Sequence, residues 1–117
     1  MNKNNILQLI PKAEQYIQYM IEIILKIPRT EKFSIGTEYK ISMYRMLEDI
    51  MYVNKFKEFK YLNKIDAELT IQRSCLRIMR KNRWIDIKKF NIAIDKISEI
   101  GKILGGLIKY YAKNNKK

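Results

Sequence analysis

Histidine is absent from this 117-residue chain, and cysteine occurs once, at Cys75. A zinc site therefore has almost no ligands to draw on, an internal disulfide cannot form, and the usual nucleophile–base pairs of hydrolases cannot be assembled. Proline appears twice and glycine four times in a chain that is 47% apolar, a composition that excludes a disordered or loop-dominated protein. No apolar run reaches the ~18 residues of a membrane span, and the polar opening Met1-Asn2-Lys3-Asn4-Asn5 does not read as a signal peptide. The expectation is one soluble, non-catalytic domain over residues 1–117 in a reduced, cytoplasmic setting, with disordered ends at about 1–8 and 113–117. No cofactor and no metal is expected.

Positive charge is what the chain has in excess. It carries 24 basic and 12 acidic side chains, a net +12. Residues 1–58 hold nine basic and seven acidic groups, whereas residues 59–117 hold fifteen and five. The second half thus carries the field, which attracts polyanions such as RNA or DNA; membranes and acidic protein surfaces would respond to it too. An Asn-, Ile- and Lys-rich composition also makes proteins basic without any nucleic-acid role, so both readings stay open.

Apolar spacing predicts helices throughout. The first covers Pro11 or Lys12 to Lys26, with Ala13, Ile17, Met20, Ile24 and Ile27 inward and Pro11 at its first position, where no amide donor is needed. Pro28 ends it, and Ile27-Pro28-Arg29-Thr30-Glu31-Lys32-Phe33-Ser34-Ile35-Gly36 forms a connection pinned to the core by Phe33 and Ile35. Ser34 can cap the second helix, whose inward line is Tyr39, Met43, Met46 or Leu47, Ile50 and Val53, with Arg45, Glu48 and Asp49 on a charged outer face. The third covers Leu62 to Asn82 with Leu62, Ile65, Leu69, Gln72, Leu76 and Met79 inward and Ile71, Cys75 and Ile78 beside them. Asp86 caps the last, Ile87 to Ala112, whose stripe is Phe90, Ile94, Ile97, Gly101, Leu104, Ile108 and Tyr111; Trp84 covers the end of the bundle. Four such helices on short connections predict an all-α, antiparallel up-down-up-down four-helix bundle.

Two features go beyond packing. Arg73, Arg77 and Arg80 recur at i, i+4 and i+7, with Lys81, Arg83 and Lys88 extending the patch, and no carboxylate lies between Glu68 and Asp86. A row of guanidinium groups can follow a phosphate backbone without reading sequence. It can equally be a solvated face, or pair with Glu22, Glu48 or Asp49 on neighbouring helices. Gly101, Gly105 and Gly106 lie inside the last helix, at about 1 kcal/mol each relative to alanine. They match no phosphate-binding loop, so the expected reason is close approach of a helix, within the bundle or between subunits.

The Pro-Arg-Thr-Glu-Lys-Phe segment at 28–33, the arginine helix, and Ser98-Glu99-Ile100-Gly101-Lys102-Ile103-Leu104-Gly105-Gly106 together resemble the Avd family, the accessory variability proteins of diversity-generating retroelements, over about residues 12–110. The first segment also resembles four-helix proteins encoded in ribosomal RNA intervening sequences; the glycine segment favours Avd. Leu107 departs from the pattern, which leads one to expect tryptophan there. The resemblance implies a basic, barrel-like homopentamer that associates with a reverse transcriptase and its template RNA, or RNA/DNA, in mutagenic complementary-DNA synthesis, with no membrane contact. It implies that Arg73, Arg77 and Arg80 are the basic row and Gly101, Gly105 and Gly106 the packing motif.

Overall fold

A computed structural model describes the backbone of residues 2–114 and the side chains of 6–113. Four long helices, α1 (Asn2–Ile24), α3 (Ile35–Phe56), α4 (Tyr61–Lys81) and α5 (Ile87–Asn114), are joined by short connections, one of which holds a single helical turn, α2 (Arg29–Lys32). No strand occurs among the described residues. The packed pairs are α1 with α3, α3 with α4, α4 with α5 and α5 with α1, so the four close into a square. Neighbours run antiparallel: Lys12 meets Glu99 while Tyr19 meets Lys89, and Ser42 meets Glu68 while Tyr52 meets Tyr61. The result is an up-down-up-down four-helix bundle, 50 × 23 × 22 Å. No described helix is long and apolar enough to cross a membrane.

The inward lines of α3 and α4 fall where periodicity puts them. Tyr39, Met43, Met46, Ile50 and Val53 are buried, Met46 rather than Leu47 taking the central place, and α4 buries Leu62, Ile65, Leu69, Gln72, Leu76 and Met79. Several expectations need correction. α1 begins at Asn2, not at Pro11, which lies inside it, because the stripe extends back through Leu9 and Ile6, both buried. Burying those two offsets the hydrogen bond that Pro11 cannot make. Residues 2–8 are thus helical rather than loose; Lys113 and Asn114 belong to α5, while Met1 and residues 115–117 lie outside the described residues. In α5 the fully buried line is Ala93, Ile97, Ile100, Leu104 and Leu107, with Phe90, Ile94, Ile108 and Tyr111 only partly covered. Ile71 and Ile78 are half exposed on the α3-facing flank of α4. Asp49, expected outside, is 7% exposed, and burial raises its carboxyl above the usual carboxylate range.

The first connection works differently from its reading in sequence. Ile27 is buried where α1 ends, and Pro28 stands at the N-cap of α2, its carbonyl accepting from the amides of Glu31 and Lys32 at 2.9 and 3.1 Å. Phe33 is 74% exposed, so it pins nothing; Ile27, Ile35 and the buried Gly36 hold the loop instead. Ser34 stands at the N-cap of α3 without capping it, since its hydroxyl turns back to Glu31 Oε1 at 3.1 Å. Asp86 does cap α5, accepting from the amide of Lys89 at 2.8 Å.

A chain of polar side chains crosses the core. Tyr39 and Tyr16 share a hydroxyl contact of 2.5 Å, the Tyr16 hydroxyl donates to Gln72 Oε1 at 2.7 Å, Gln72 Nε2 donates to Ser42 Oγ at 3.0 Å, and the Ser42 hydroxyl donates to Glu68 Oε1 at 2.6 Å. With Tyr39 donating to Tyr16, each hydroxyl donates once and the chain ends on a carboxylate. Burial pushes both phenols well above their ordinary range, so they remain protonated donors. Gln72 therefore joins α1, α3 and α4 in one register.

Candidate nucleic-acid interface

The arginine row lies along the edge of α4 that faces α5. Arg73 is half-buried; its Nη2 stands 3.1 Å from where a Cβ on Gly101 would be, so Gly101 leaves room for this guanidinium. Arg77 is exposed and donates to Ser74 Oγ, one turn back, at 3.0 Å. Arg80 is half-buried and donates through Nη1 to the carbonyl of Ile85 at 3.0 Å, which ties α4 to the connection leading into α5. Lys81, Arg83 and Lys88 are exposed around that connection. At a rise of 1.5 Å per residue, Arg73 to Arg80 spans ~10 Å, about three base steps of a nucleic-acid strand. Arg80 thus has a structural duty that its spacing did not announce. The other five positions are available to a ligand.

The pairing alternative does not occur. Among the described residues, the ion pairs within 4.0 Å are Lys12–Glu99 and Lys60–Glu58, and neither involves any of the six. Their charge is therefore uncompensated at close range, and its field is directed at solvent or a polyanion. Three carboxylate or thiol groups converge nowhere among the described residues, and the Cys75 thiol, half-buried, is raised by burial, which opposes nucleophile chemistry.

The connection after α4 is a tight left-handed turn. The amide of Arg83 donates to the carbonyl of Arg80 at 2.9 Å and that of Trp84 to Met79 at 2.9 Å, the paired bonds of a helix terminus that usually ends in glycine. Arg83 takes the glycine position, with φ 61°. The left-handed conformation disfavours a side chain, so Arg83→Gly is expected to stabilise the fold by about 0.5–1 kcal/mol after the glycine's own entropy is counted. A thermal melt checks it: a gain of about 3 °C is expected.

Gly105 and Gly106 answer the packing question differently from Gly101. Nothing lies within 4 Å of a Cβ built on either, so neither serves packing inside the bundle. A sequence model of the bAvd-like family matches residues 7–111, spanning the four long helices, the arginine edge and the glycine segment. The chain belongs to the bAvd-like family. No curated protein matches it. Family membership makes the chain an Avd-type accessory protein. Leu107, where the family resemblance leads one to expect tryptophan, is fully buried and completes the core line of α5.

Proposed function

We propose that the chain is a non-catalytic accessory subunit of a retroelement reverse transcriptase, binding the template RNA along the edge of α4 from Arg73 to Arg83 and on to Lys88. The observation that carries this reading is the uncompensated charge of that edge: none of the six basic side chains meets a carboxylate among the described residues. Arg83 supports it further. An arginine held in a conformation that favours glycine is retained at some expense in stability, as expected where a cation at that spot is useful. Gly105 and Gly106, open to their surroundings, support assembly into a homopentamer, since bare helix backbone lets a second helix approach closely.

The test leaves Arg80 in place, because losing its bond to Ile85 would disturb the turn. Arg73→Ala, Arg77→Ala and Lys81→Ala combined are expected to weaken RNA binding at least tenfold and to lower the slope of log K against log salt by about 2, at ~0.7 per lost contact to a single strand. An unchanged slope in a folded triple variant removes these residues from the interface. Light scattering tests the assembly, and a clean monomer at micromolar concentration contradicts the pentamer. A protein-interaction module is the second reading, supported by the half-exposed Ile71 and Ile78; it predicts negligible RNA affinity for the unmodified chain at physiological salt.

A further inference from the structure

The end of the bundle opposite Arg83 and Lys88 carries a group of aromatic rings that the fold does not fully use. α3 finishes with Tyr52 and Phe56, the connection supplies Phe59, α4 starts with Tyr61, and α5 returns to the same end with Tyr110 and Tyr111. Phe59 and Tyr111 are partly buried and stack with centroids 3.6 Å apart and planes at 17°, closing the core. Tyr52 and Phe56 behave otherwise. Their rings lie 6.0 Å apart, Tyr52 is 5.4 Å from Tyr61, and the two remain 43% and 57% exposed. Lysines are interleaved with these rings: residues 54–64 and 108–113 contain six, while Glu58 pairs with Lys60 and the carboxylates of Glu48, Asp49 and Glu68 line the groove beside Tyr52 and Tyr61, so the positive side of the rings is that of Lys55, Lys57 and Lys60. The ammonium groups of Lys60 and Lys64 stand 5.7 and 5.2 Å from the centre of the Tyr61 ring.

We propose that the exposed rings of Tyr52 and Phe56, backed by the partly buried Tyr61 and flanked by Lys55, Lys57, Lys60 and Lys64, form a stacking platform for unpaired bases of single-stranded RNA. The inference rests on the RNA-binding reading above and adds a second contact region with a different chemistry. Ring faces accept bases only when these are unstacked, as in loops and single-stranded ends, while the adjoining ammonium groups meet the phosphates between them. The lysines of residues 55–64 repel basic protein surfaces; an acidic protein surface is the competing occupant, and failure of the chain to bind the oligouridylate would favour it. From Tyr61 to Arg80 the α4 axis runs ~28 Å at 1.5 Å per residue. One RNA could therefore lay its backbone along the arginine edge and place a single-stranded segment on the rings.

The experiment compares a labelled oligouridylate of about 12 nucleotides, within the usual site size of such platforms, with a blunt RNA duplex of equal length. Fluorescence anisotropy is read for the full chain and for the combined variant Tyr52→Leu and Phe56→Leu. Leucine keeps apolar bulk and helix preference at two exposed positions and removes only the ring face. The oligouridylate affinity is expected to fall about tenfold, the lower part of the range for loss of stacked bases, and the duplex affinity to stay within about twofold. Equal losses for both RNAs, or no loss for either, overturn the platform while leaving the arginine edge intact. Loss of self-association with RNA affinity retained also overturns it, since the rings then pack subunits. An unmodified chain that binds neither RNA sinks this inference together with the function on which it rests. Photo-crosslinking of the unmodified chain to a thiouridine-containing oligomer serves as an independent check, with adducts expected on the 52–61 peptide; adducts confined to 73–88 count against the platform.

Discussion

Gln72→Leu is expected to lower the stability of the bundle by about 2–3 kcal/mol and its melting temperature by about 10 °C, although leucine is the more apolar residue and fits a helix well. The reason lies in what the glutamine leaves behind. Its Oε1 is the acceptor for the Tyr16 hydroxyl, and its Nε2 is a donor to Ser42. Without it, Tyr16 and Tyr39 have two protons and one mutual contact, so one hydroxyl proton is left without an acceptor where both side chains are fully buried. An orphaned donor in such a place costs about 1–3 kcal/mol, and the amide's own bonds are lost as well. Ser42 suffers less, since its hydroxyl still donates to Glu68. The decisive comparison is the triple variant Tyr16→Phe, Tyr39→Phe and Gln72→Leu. Removing both hydroxyls with the amide leaves no unpaired group, so the triple should melt within a few degrees of the unmodified protein. A triple variant as unstable as the single one would show that packing around residue 72, not the orphaned hydroxyl, decides the outcome. Urea denaturation with the slope monitored separates either from a change in the unfolded state.

That network was only half visible in the sequence. Gln72 falls on the inward line of α4 by spacing, so its burial could be read, but nothing in the one-dimensional pattern says that Tyr16 and Ser42 arrive beside it from two other helices. The inward lines of α3 and α4 were legible because their apolar residues repeat at unbroken spacings of three and four, even though Ile41, Tyr44, Ile71 and Ile78 lie outside the buried line. In α5 apolar residues lie on both sides of the stripe, with Phe90, Ile94, Ile103 and Ile108 all partly covered, so the period is clear but its centre is not. Rotation by about one position moved the buried line to Ala93, Ile100 and Leu107. At the candidate interface, charge spacing put the arginines on one edge of α4, which is where they lie. The bond from Arg80 to Ile85 and the left-handed Arg83 were illegible, because both depend on how the chain turns after Lys81. The aromatic end was missed for a similar reason: Tyr52, Phe56 and Tyr61 are separated by a connection without glycine or proline, and only the antiparallel return brings them together.

Gly36→Leu is the second large effect, and its sign can be checked against the other glycines. A Cβ at position 36 would stand 3.0 Å from Ile24 Cγ2 and 3.3 Å from the carbonyl oxygen of Glu31. The methyl can shift, but the carbonyl is held by the amide of Ser34 at 3.2 Å, so the backbone of α2 must move before a larger side chain fits. Overpacking of this kind costs about 1–3 kcal/mol, so with part of it returned as helix propensity Gly36→Ala should lose about 1 kcal/mol, and Gly36→Leu about 3 kcal/mol. Gly101→Ala should be nearly neutral, because the atom it meets is the far end of the Arg73 side chain, which can swing aside. Gly105→Ala and Gly106→Ala meet nothing within 4 Å and no glycine has positive φ, so each should raise the stability of the isolated bundle by about 1 kcal/mol. Monitoring melting and light scattering on the same samples divides two roles that the sequence runs together. If alanine at 105 or 106 raises the melting temperature while shrinking the assembly, the bare backbone is there for a neighbouring subunit. If it raises both or leaves assembly untouched, close subunit approach at these glycines is wrong. The loop glycine, by contrast, is a matter of one chain: it lets α3 start against the end of α1, and so sets where Ser42 and Met46 meet Gln72 in the core.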